Sequence, residues 1–221
     1  MLDQLIIGDK HSLDDFEASV AERRIRKPKK KSIKETVPFS NVTHDFSAIN
    51  GEQYWEEREL EYVFEIIADS AEELEAKKQP FISWIMNVMN EKLYDPFITD
   101  YHFLATYSDM DEDDSEIEKS TITVKFTAYP YMIADVKRVF VFTMTETEST
   151  VKVINNSSHR ITPTLTTDVE CTVKKGTSSF GLPIGKITDD KFMLAPGETS
   201  LAIRSTSGSG TLKIEFYEEV F

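Results

Sequence analysis

The sequence predicts a mainly β protein with two domains: an α+β N-terminal domain that carries one helix, and a C-terminal antiparallel β-sandwich. Two observations support this. Alternating polar and apolar residues, the pattern of strands with one buried face, recur along the chain. Beyond residue 138 the apolar runs become short and turn residues separate them, which is typical of a sandwich. We place the N-terminal domain at residues 1–134 and the sandwich at residues 135–221.

The composition is that of a chain with substantial hydrophobic cores. Of the 221 residues, 40% are hydrophobic, so we do not expect disorder along the whole chain. The single cysteine, Cys171, excludes an internal disulfide and suits a reducing cytoplasm. We see no signal-peptide pattern, and no apolar run approaches the roughly 20 residues of a membrane helix. We therefore expect a soluble product of the cytoplasm with no membrane contact.

A basic segment stands out against the net charge of −14. Pro28 inside the segment argues against a continuous helix there. Such a run is compatible with a nucleic-acid arm, but the acidic remainder repels phosphate and no aromatic residues interleave with the basic ones. We favour a solvated loop or an arm that docks on an acidic neighbouring surface, with no sequence-specific nucleic acid as partner. The basic residues are Arg23, Arg24, Arg26, Lys27, Lys29, Lys30, Lys31 and Lys34.

The first half of the N-terminal domain reads as strands. Residues 1–8 form a first strand, a polar segment follows, and a second strand-like run covers residues 37–49. The Asn50-Gly51 dipeptide favours a turn. Residues 54–67 read as one long strand with one buried face. The residues expected on that face are Leu60, Tyr62, Phe64 and Ile66.

One helix follows, predicted at residues 71–91. Ser70 and Glu73 form the S-x-x-E pattern of a capping box, which satisfies two N–H groups at a helix start. Pro80 lies inside the helical pattern and predicts a bend near Gln79. The apolar face follows a 3.6-residue repeat and is widened by two further residues. Its members are Leu74, Phe81, Ile85 and Val88, with Trp84 and Met89 beside them.

Two more strands complete the domain, at residues 97–107 and 120–132, with an acidic loop at residues 109–118 between them. Asp109, Asp111 and Asp113 have the spacing of the first three ligands of a calcium loop. The glycine and the bidentate glutamate of that motif are missing, because Asp114 and Ser120 stand in their places. We favour a solvated loop and assign no metal site, while weak calcium binding stays open.

The sandwich is predicted from short strands separated by turn residues such as Lys175-Gly176 and Pro196-Gly197. The predicted strands are residues 139–143, 150–154, 165–173, 191–194, 199–204 and 211–217.

No group of residues predicts catalysis or a bound cofactor. The four histidines are scattered singly, without a second ligand at metal spacing. Cys171 lies in a strand pattern, where a small buried thiol is the default. The run from Gly181 to Lys186 mimics a phosphate loop, but it contains a proline and lacks a βαβ context. We do not expect an enzyme.

Several segments resemble, in their order, the distal tail proteins of long, flexible-tailed phages, which are baseplate hubs between tail tube and tail tip. They are Val37-Pro38-Phe39, Asp45-Phe46-Ser47, residues 54–64 (YWEERELEYVF) and the helix around Trp84. The resemblance continues at residues 194–201 (LAPGETSL) and 208–214, so it covers most of the chain.

This resemblance implies a structural protein of a phage or prophage, made in the bacterial cytoplasm and located in the virion tail. It implies a hexameric ring of N-terminal domains, with galectin-like or carbohydrate-module-like sandwiches outside. The implied partners are the tail tube protein and a tail-tip or tail-associated lysin protein, and a receptor-binding protein stays open as a third. The residues expected at these interfaces are Arg24, Lys27, Lys30, Val37, Phe39, Phe46, Tyr54, Trp55 and Arg58.

Two alternatives stay open. The sandwich could recognise cell-wall glycans of the host, with Phe180 or Tyr217 stacking on a sugar, although this domain contains no tryptophan. Trp55 could cap the core of its own domain instead of contacting a partner.

Overall fold

The computed structural model describes residues 3–36, 38–48, 51–113, 116 and 118–221. The chain forms two compact units, one of Met1–Met132 with Phe221 and one of Ile133–Val220. Antiparallel sheets dominate both units, so the predicted mainly β class is confirmed.

Most strands of the first unit form one antiparallel sheet in the order β2-β1-β7-β8-β9-β6-β3, and β4 pairs with β5 separately. The strands are β1 (Ile6–Ile7), β2 (Lys10–His11), β3 (Ser19–Ile25), β4 (Lys34–Thr36), β5 (Thr43–Asp45), β6 (Arg58–Ile67), β7 (Glu91–Tyr94), β8 (Tyr101–Asp113) and β9 (Lys119–Ala128). The helices are α1 (Ser12–Phe16) and α2 (Ala71–Met86).

The outer side of β3 is contacted by the start of the chain. The backbone N–H of Val20 donates to the carbonyl oxygen of Asp3 at 2.8 Å. This contact covers part of an edge that would otherwise expose unpaired backbone groups. The predicted first strand over residues 1–8 is wrong where the chain is described, since Ile6–Ile7 pairs with Lys10–His11 in the short hairpin β1–β2, which turns at Gly8 with φ 64°; Met1 and Leu2 lie outside the described residues.

The core of the first unit lies between the sheet and α2. On β6 the four residues predicted to be buried, Leu60, Tyr62, Phe64 and Ile66, are completely buried. Phe64 contacts Phe81 of α2 edge-to-face, with ring centroids 4.9 Å apart. Burial of each such side chain contributes about 1.5–3 kcal/mol. The alternation in the sequence therefore predicted the core face of this strand correctly.

Helix α2 begins where the capping pattern predicts. The Ser70 hydroxyl oxygen accepts a hydrogen bond from the backbone N–H of Glu73 at 3.3 Å, and the Glu73 carboxylate accepts one from the N–H of Asp69 at 3.2 Å. Pro80 lies inside the helix without ending it, and the bend near Gln79 stays a prediction.

The predicted end of the helix at residue 91 is wrong. The helix stops at Met86, and Asn90, with φ 54°, turns the chain into β7, a strand that the sequence did not predict. Met89 is 76% exposed and so does not widen the buried face.

The predicted acidic loop is also wrong for most of its length. Strand β8 continues through Asp113, and Asp109 lies opposite Lys125 of β9. The Lys125 ammonium contacts the Asp109 carboxylate at 3.1 Å and that of Asp111 at 3.8 Å, which lets these acids lie on an exposed strand face. Asp114 lies outside the described residues.

The second unit is a sandwich of two four-stranded antiparallel sheets, β11-β18-β13-β16 and β12-β17-β14-β15, around one hydrophobic core. Its strands, with β10 beginning at the boundary, are β10 (Met132–Ala134), β11 (Arg138–Met144), β12 (Ser149–Asn155), β13 (Thr164–Thr167), β14 (Cys171–Lys175), β15 (Ser178–Leu182), β16 (Gly185–Thr188), β17 (Gly197–Ser205), β18 (Gly210–Phe216) and β19 (Glu219–Val220).

Two sandwich predictions need correction. Residues 165–173 are not one strand. The Thr167 hydroxyl donates a hydrogen bond to the Val169 carbonyl oxygen at 2.7 Å in a turn, and the chain then enters the other sheet. Residues 191–194 are not a strand, since Leu194 forms only an isolated bridge with Ile161. Strands β15 and β16, which pair with β14 and β13, were not predicted.

Candidate assembly interface

Strands β3 and β6 leave the sheet together as a two-stranded extension. We call residues 26–57 the ribbon arm. Backbone N–H groups donate across it at three successive levels, from Arg26 to Glu59 at 3.1 Å, from Glu56 to Lys29 at 2.8 Å and from Lys31 to Tyr54 at 2.9 Å. The arm continues through Phe46, which donates to the Ile33 carbonyl at 2.8 Å, into the β4–β5 pair.

The ribbon arm corrects the predicted strand at residues 37–49. The chain reverses between Thr36 and Thr43, so this stretch is the turn and return of a hairpin. A side chain of Ser40 supports the turn by accepting a hydrogen bond from the N–H of Val42 at 3.0 Å. Val37 and Asn50, which the sequence assigned to an interface and to a turn, lie outside the described residues.

Phe39 stands at the turn of the arm in an unfavourable conformation. Its backbone has φ 63°, and its relative exposure is 110%. A bulky residue at positive φ is an outlier that costs on the order of 1–3 kcal/mol. An aromatic side chain that is both strained and fully solvated gains nothing within its own chain, which points to a contact with another molecule.

The remaining apolar residues of the arm are also exposed. Ile33, Val42, Phe46 and Tyr54 each leave between 39% and 53% of their surface in water. A two-stranded ribbon with no further layer is marginally stable in water. Stable packing of these residues therefore requires a partner surface.

The charges of the arm are unevenly neutralised. Where the arm leaves the sheet, Arg24 contacts Glu61 at 2.6 Å and Glu22 at 2.9 Å, and the hydrogen bond to Glu61 is the main cause of its raised pKa. Arg26 lies 3.7 Å from Glu59. Further along the arm, four lysines form no ion pair with any carboxylate among the described residues. These lysines are Lys27, Lys29, Lys30 and Lys31.

Trp55, a predicted interface residue at the base of the arm, is partly covered by its own chain. Trp55 is half-buried; it bridges to Lys30 through the backbone and packs edge-to-face on Phe221, with centroids 4.6 Å apart. This supports the alternative that Trp55 covers its own unit. Tyr54 beside it is 46% exposed.

Arg58 is 1% exposed, although the sequence placed it at an interface. Its guanidinium lies 5.3 Å from the centre of the Phe103 ring, and burial lowers its pKa. The Nε and Nη2 atoms have no hydrogen-bond partner among the described residues. The signal that predicts this burial was present, because position 58 continues the even-numbered row of buried residues on β6.

Ile33, Val42, Lys29 and Lys31 are not among the individual residues predicted at the interfaces, although Lys29 and Lys31 belong to the basic segment and Val42 to the predicted strand at residues 37–49, both of which were expected to contact neighbours. Isolated apolar residues in a polar segment give no periodic signal, and only the hairpin geometry brings them onto one exposed arm.

The remaining candidate groups are possible metal ligands, the cysteine and two aromatic residues of the second unit. No group of three or more His, Cys, Asp or Glu side chains among them could hold a metal ion. Cys171 is buried, and burial raises the pKa of its thiol. Of the two aromatics considered for glycan stacking, Phe180 packs on Phe192 and Tyr217 is 39% exposed. Within the described residues, neither helix has the length and apolar character needed to cross a bilayer.

The comparisons with known proteins give matches in structure only. No protein-family model and no curated protein matches the sequence. The crystal structure of the SPP1 Dit protein, described as a paradigm of the hub adsorption apparatus in phages that infect Gram-positive bacteria, matches over 100% of both chains. Its TM-score is 0.72 at 14% identity.

Two structures of the phage P2 baseplate in its activated conformation match at a lower level. The structure with Ca covers 97% of this chain and 98% of that one, with 11% identity and a TM-score of 0.41. The structure with Sr covers 98% of each chain, with 10% identity and a TM-score of 0.42. The predicted resemblance to phage distal tail proteins is thus confirmed for the fold, through SPP1 Dit.

Proposed function

We propose that this chain is a structural subunit of a phage tail, a distal tail protein that forms the hub of a baseplate. Copies assemble into a hexameric ring through their first units, and the ring joins the tail tube to the tail-tip apparatus. The function is assembly rather than catalysis. The observation that carries this proposal is the ribbon arm, with its exposed apolar side chains and with lysines that form no ion pair among the described residues.

The fold supports this function. The likeness to SPP1 Dit extends over the whole of both chains. Assembly also accounts for the arm energetically, because burial of its apolar side chains against a neighbour contributes what a lone ribbon lacks. A ring built from two different faces closes without leaving unpaired ends.

The test is the oligomeric state of the purified protein and of a charge variant of the arm. We expect the native chain of 25.3 kDa to reach about 150 kDa for six copies in mass photometry, and to show six-fold rings in negative stain. Substitution of Lys27, Lys29, Lys30 and Lys31 by Gln should weaken or abolish the rings, because the arm loses the positive charges that we expect to pair with carboxylates of a neighbouring copy.

A matched control carries the same change of net charge on the second unit. It replaces Lys152, Lys174, Lys186 and Lys191 by Gln, and we expect its rings to remain. Equal loss of rings in both variants would show a general charge effect and would contradict the role of the arm. A native protein that stays monomeric at every concentration, with and without a tube protein, would contradict the hub itself.

A further inference from the structure

The tip of the ribbon arm carries an exposed aromatic side chain, and the first unit contains a pocket of suitable size for such a side chain. None of the Phe39 side chain is covered by the described residues of its own chain. A pocket of about 190 Å³ lies elsewhere on the first unit, between the β1–β2 turn and the end of α2. An apolar cavity of roughly 150 Å³ suffices to bind benzene, so this pocket has room for a phenyl ring.

The walls of the pocket suit an aromatic side chain. Ile7, Trp84 and Val88 supply its apolar surface; we call it the Trp84 pocket. Trp84 stacks on Phe16 with ring centroids 4.6 Å apart and an interplanar angle of 14°, so the indole is held in place. A rigid indole beside an opening offers an edge or a free face to an incoming ring.

Apolar surface around the end of α2 extends beyond the pocket. Met86 is 57% exposed and Met89 is 76% exposed, next in the chain to the pocket residues Asn87 and Val88. Methionine adapts its shape and makes favourable sulfur–aromatic contacts. Two exposed methionines at one helix end therefore provide a surface for the other apolar residues of an arm, such as Val42.

The rim of the pocket has a charge opposite to that of the arm. Asp9 and Glu91 lie on it, together with a single lysine, Lys10. Asp14 and Asp15 follow in α1, and α2 carries no basic residue in its last turn. The ribbon arm supplies four lysines that have no carboxylate partner in the described part of the chain. Such complementarity orients an approaching arm and suppresses wrong contacts.

We propose that Phe39 of one copy inserts into the Trp84 pocket of a second copy. Within one chain the tip is exposed and the pocket is open, so each is available to another molecule. Tip and pocket are different surfaces, so the contact is heterologous, the kind that closes into a ring when the rotation permits. This inference rests on the proposed function, because it specifies how copies of the hub bind one another.

Disulfide trapping tests the contact directly. One preparation carries Ser40→Cys, which keeps the Phe39 ring next to the new thiol, and the other carries Asn87→Cys, at an exposed residue of the pocket lining. Mixed and mildly oxidised, they should give a covalent dimer that neither gives alone in comparable yield. The native Cys171 is buried and does not compete. The control mixture pairs Asn87→Cys with Ile184→Cys, at a residue that is 65% exposed on the second unit, and should give little dimer.

A second measurement uses no cysteine. Phe39→Ser should raise the concentration needed for half-assembly about tenfold or more, as expected for loss of one buried aromatic ring per contact. Phe39→Leu should retain most of the affinity, because leucine still fills the pocket.

The outcomes separate this inference from the proposed function. Rings without cross-linking above the control, and with Phe39→Ser assembling normally, would overturn the Trp84 pocket as receptor and leave the hub intact. A Ser40→Cys, Asn87→Cys double variant that cross-links only within one chain would overturn the proposal that the pocket binds Phe39 of a second copy. Absence of both oligomers and cross-links would overturn the inference and the hub together.

Discussion

The same two strands serve two purposes in this molecule. Inside the first unit, β3 and β6 pair with each other, and β6 places Leu60, Tyr62, Phe64 and Ile66 in the core. Beyond Ile25 and Arg58 the same pair continues as the ribbon arm, in which most of the described side chains are exposed. The backbone pairing continues from the body into the arm. The two regions differ in whether other elements of the chain pack against the paired strands.

If the proposed function holds, this difference separates the residues that fold the chain from those that assemble it. Where a strand is covered by its own chain, apolar residues occur at every second position and the pattern predicts burial. In the arm, which we propose is covered by a neighbouring copy, apolar residues are sparse, and lysines and a strained aromatic residue take their place. The comparison predicts that substitutions in the body change stability, whereas substitutions in the arm change assembly.

The largest effect is expected from a core truncation. Phe64→Ala removes a completely buried ring that contacts Phe81, and we expect a loss of about 3–5 kcal/mol in the free energy of unfolding. Urea denaturation at a protein concentration below assembly measures this. The arm control, Phe46→Ala, should stay within about 0.5 kcal/mol of the native protein. A cost for Phe46→Ala near that of Phe64→Ala would show that the arm belongs to the cooperative core.

The second prediction concerns Arg58, at the junction of body and arm. Its buried guanidinium has two nitrogen atoms without hydrogen-bond partners among the described residues, so Arg58→Met should stabilise the isolated chain by about 1–3 kcal/mol. Arg24→Met, which removes an exposed ion pair, should change stability by less than about 1 kcal/mol.

The assembly of Arg58→Met tests whether the Arg58 guanidinium binds a neighbouring copy. A more stable but assembly-deficient Arg58→Met would indicate that a neighbouring copy supplies the missing acceptor, as the sequence-based assignment to an interface predicts. Normal assembly would contradict that assignment. Destabilisation of the isolated chain would contradict the present account of its burial.

The third prediction, a smaller effect, compares the stability contributions of two serines whose hydroxyl oxygens each accept a local hydrogen bond. Ser70 caps α2 and Ser40 supports the turn of the arm, each by accepting a backbone N–H bond. Ser70→Ala should lower the free energy of unfolding by about 1 kcal/mol. Ser40→Ala should leave it unchanged, because the arm tip is not part of the core. Thermal unfolding of both variants measures the difference, and an equal shift in the two would erase the distinction between body and arm.

The body of the fold could be predicted from the sequence because its signals are local and periodic. The β6 and β9 alternation and the Ser70 cap each require only neighbouring residues. The end of α2 and the length of β8 could not, since both depend on pairing with distant strands: Glu91 pairs with Ala105, and Asp109 with Lys125. Tertiary pairing overrides local preference at such places.

The candidate interface was predicted only in part. The basic segment and Phe39 were assigned to an interface, and that role remains a prediction. The hairpin that unites them was read as a strand, since Thr36 and Thr43 face each other only after the chain reverses. The domain boundary near residue 134 likewise stays a prediction.

The smallest effect, and the sharpest, is expected at Phe39. Asparagine tolerates positive φ better than phenylalanine, so Phe39→Asn should relieve strain in the tip without changing the unfolding of the body. We expect backbone amides of Lys34–Thr36 and Thr43–Asp45 to exchange more slowly by up to roughly fivefold, equivalent to about 1 kcal/mol of local stability. Hydrogen–deuterium exchange on the isolated chain measures this. Phe46→Asn is the control, because Phe46 is not at positive φ and has no strain to lose.

Assembly should respond to Phe39→Asn in the opposite direction. The variant stabilises the fold of the arm but removes the phenyl group that we expect a neighbouring copy to bind. Its hexameric rings should therefore dissociate at a higher protein concentration than those of the native chain. Tighter assembly would show that the strain, and not the phenyl ring, controls the contact. Unchanged exchange together with unchanged assembly would mean that Phe39 stores no strain and binds no neighbour. A strained residue is retained where its side chain does something that a relaxed one cannot, and this pair of measurements asks whether that holds at the tip of the arm.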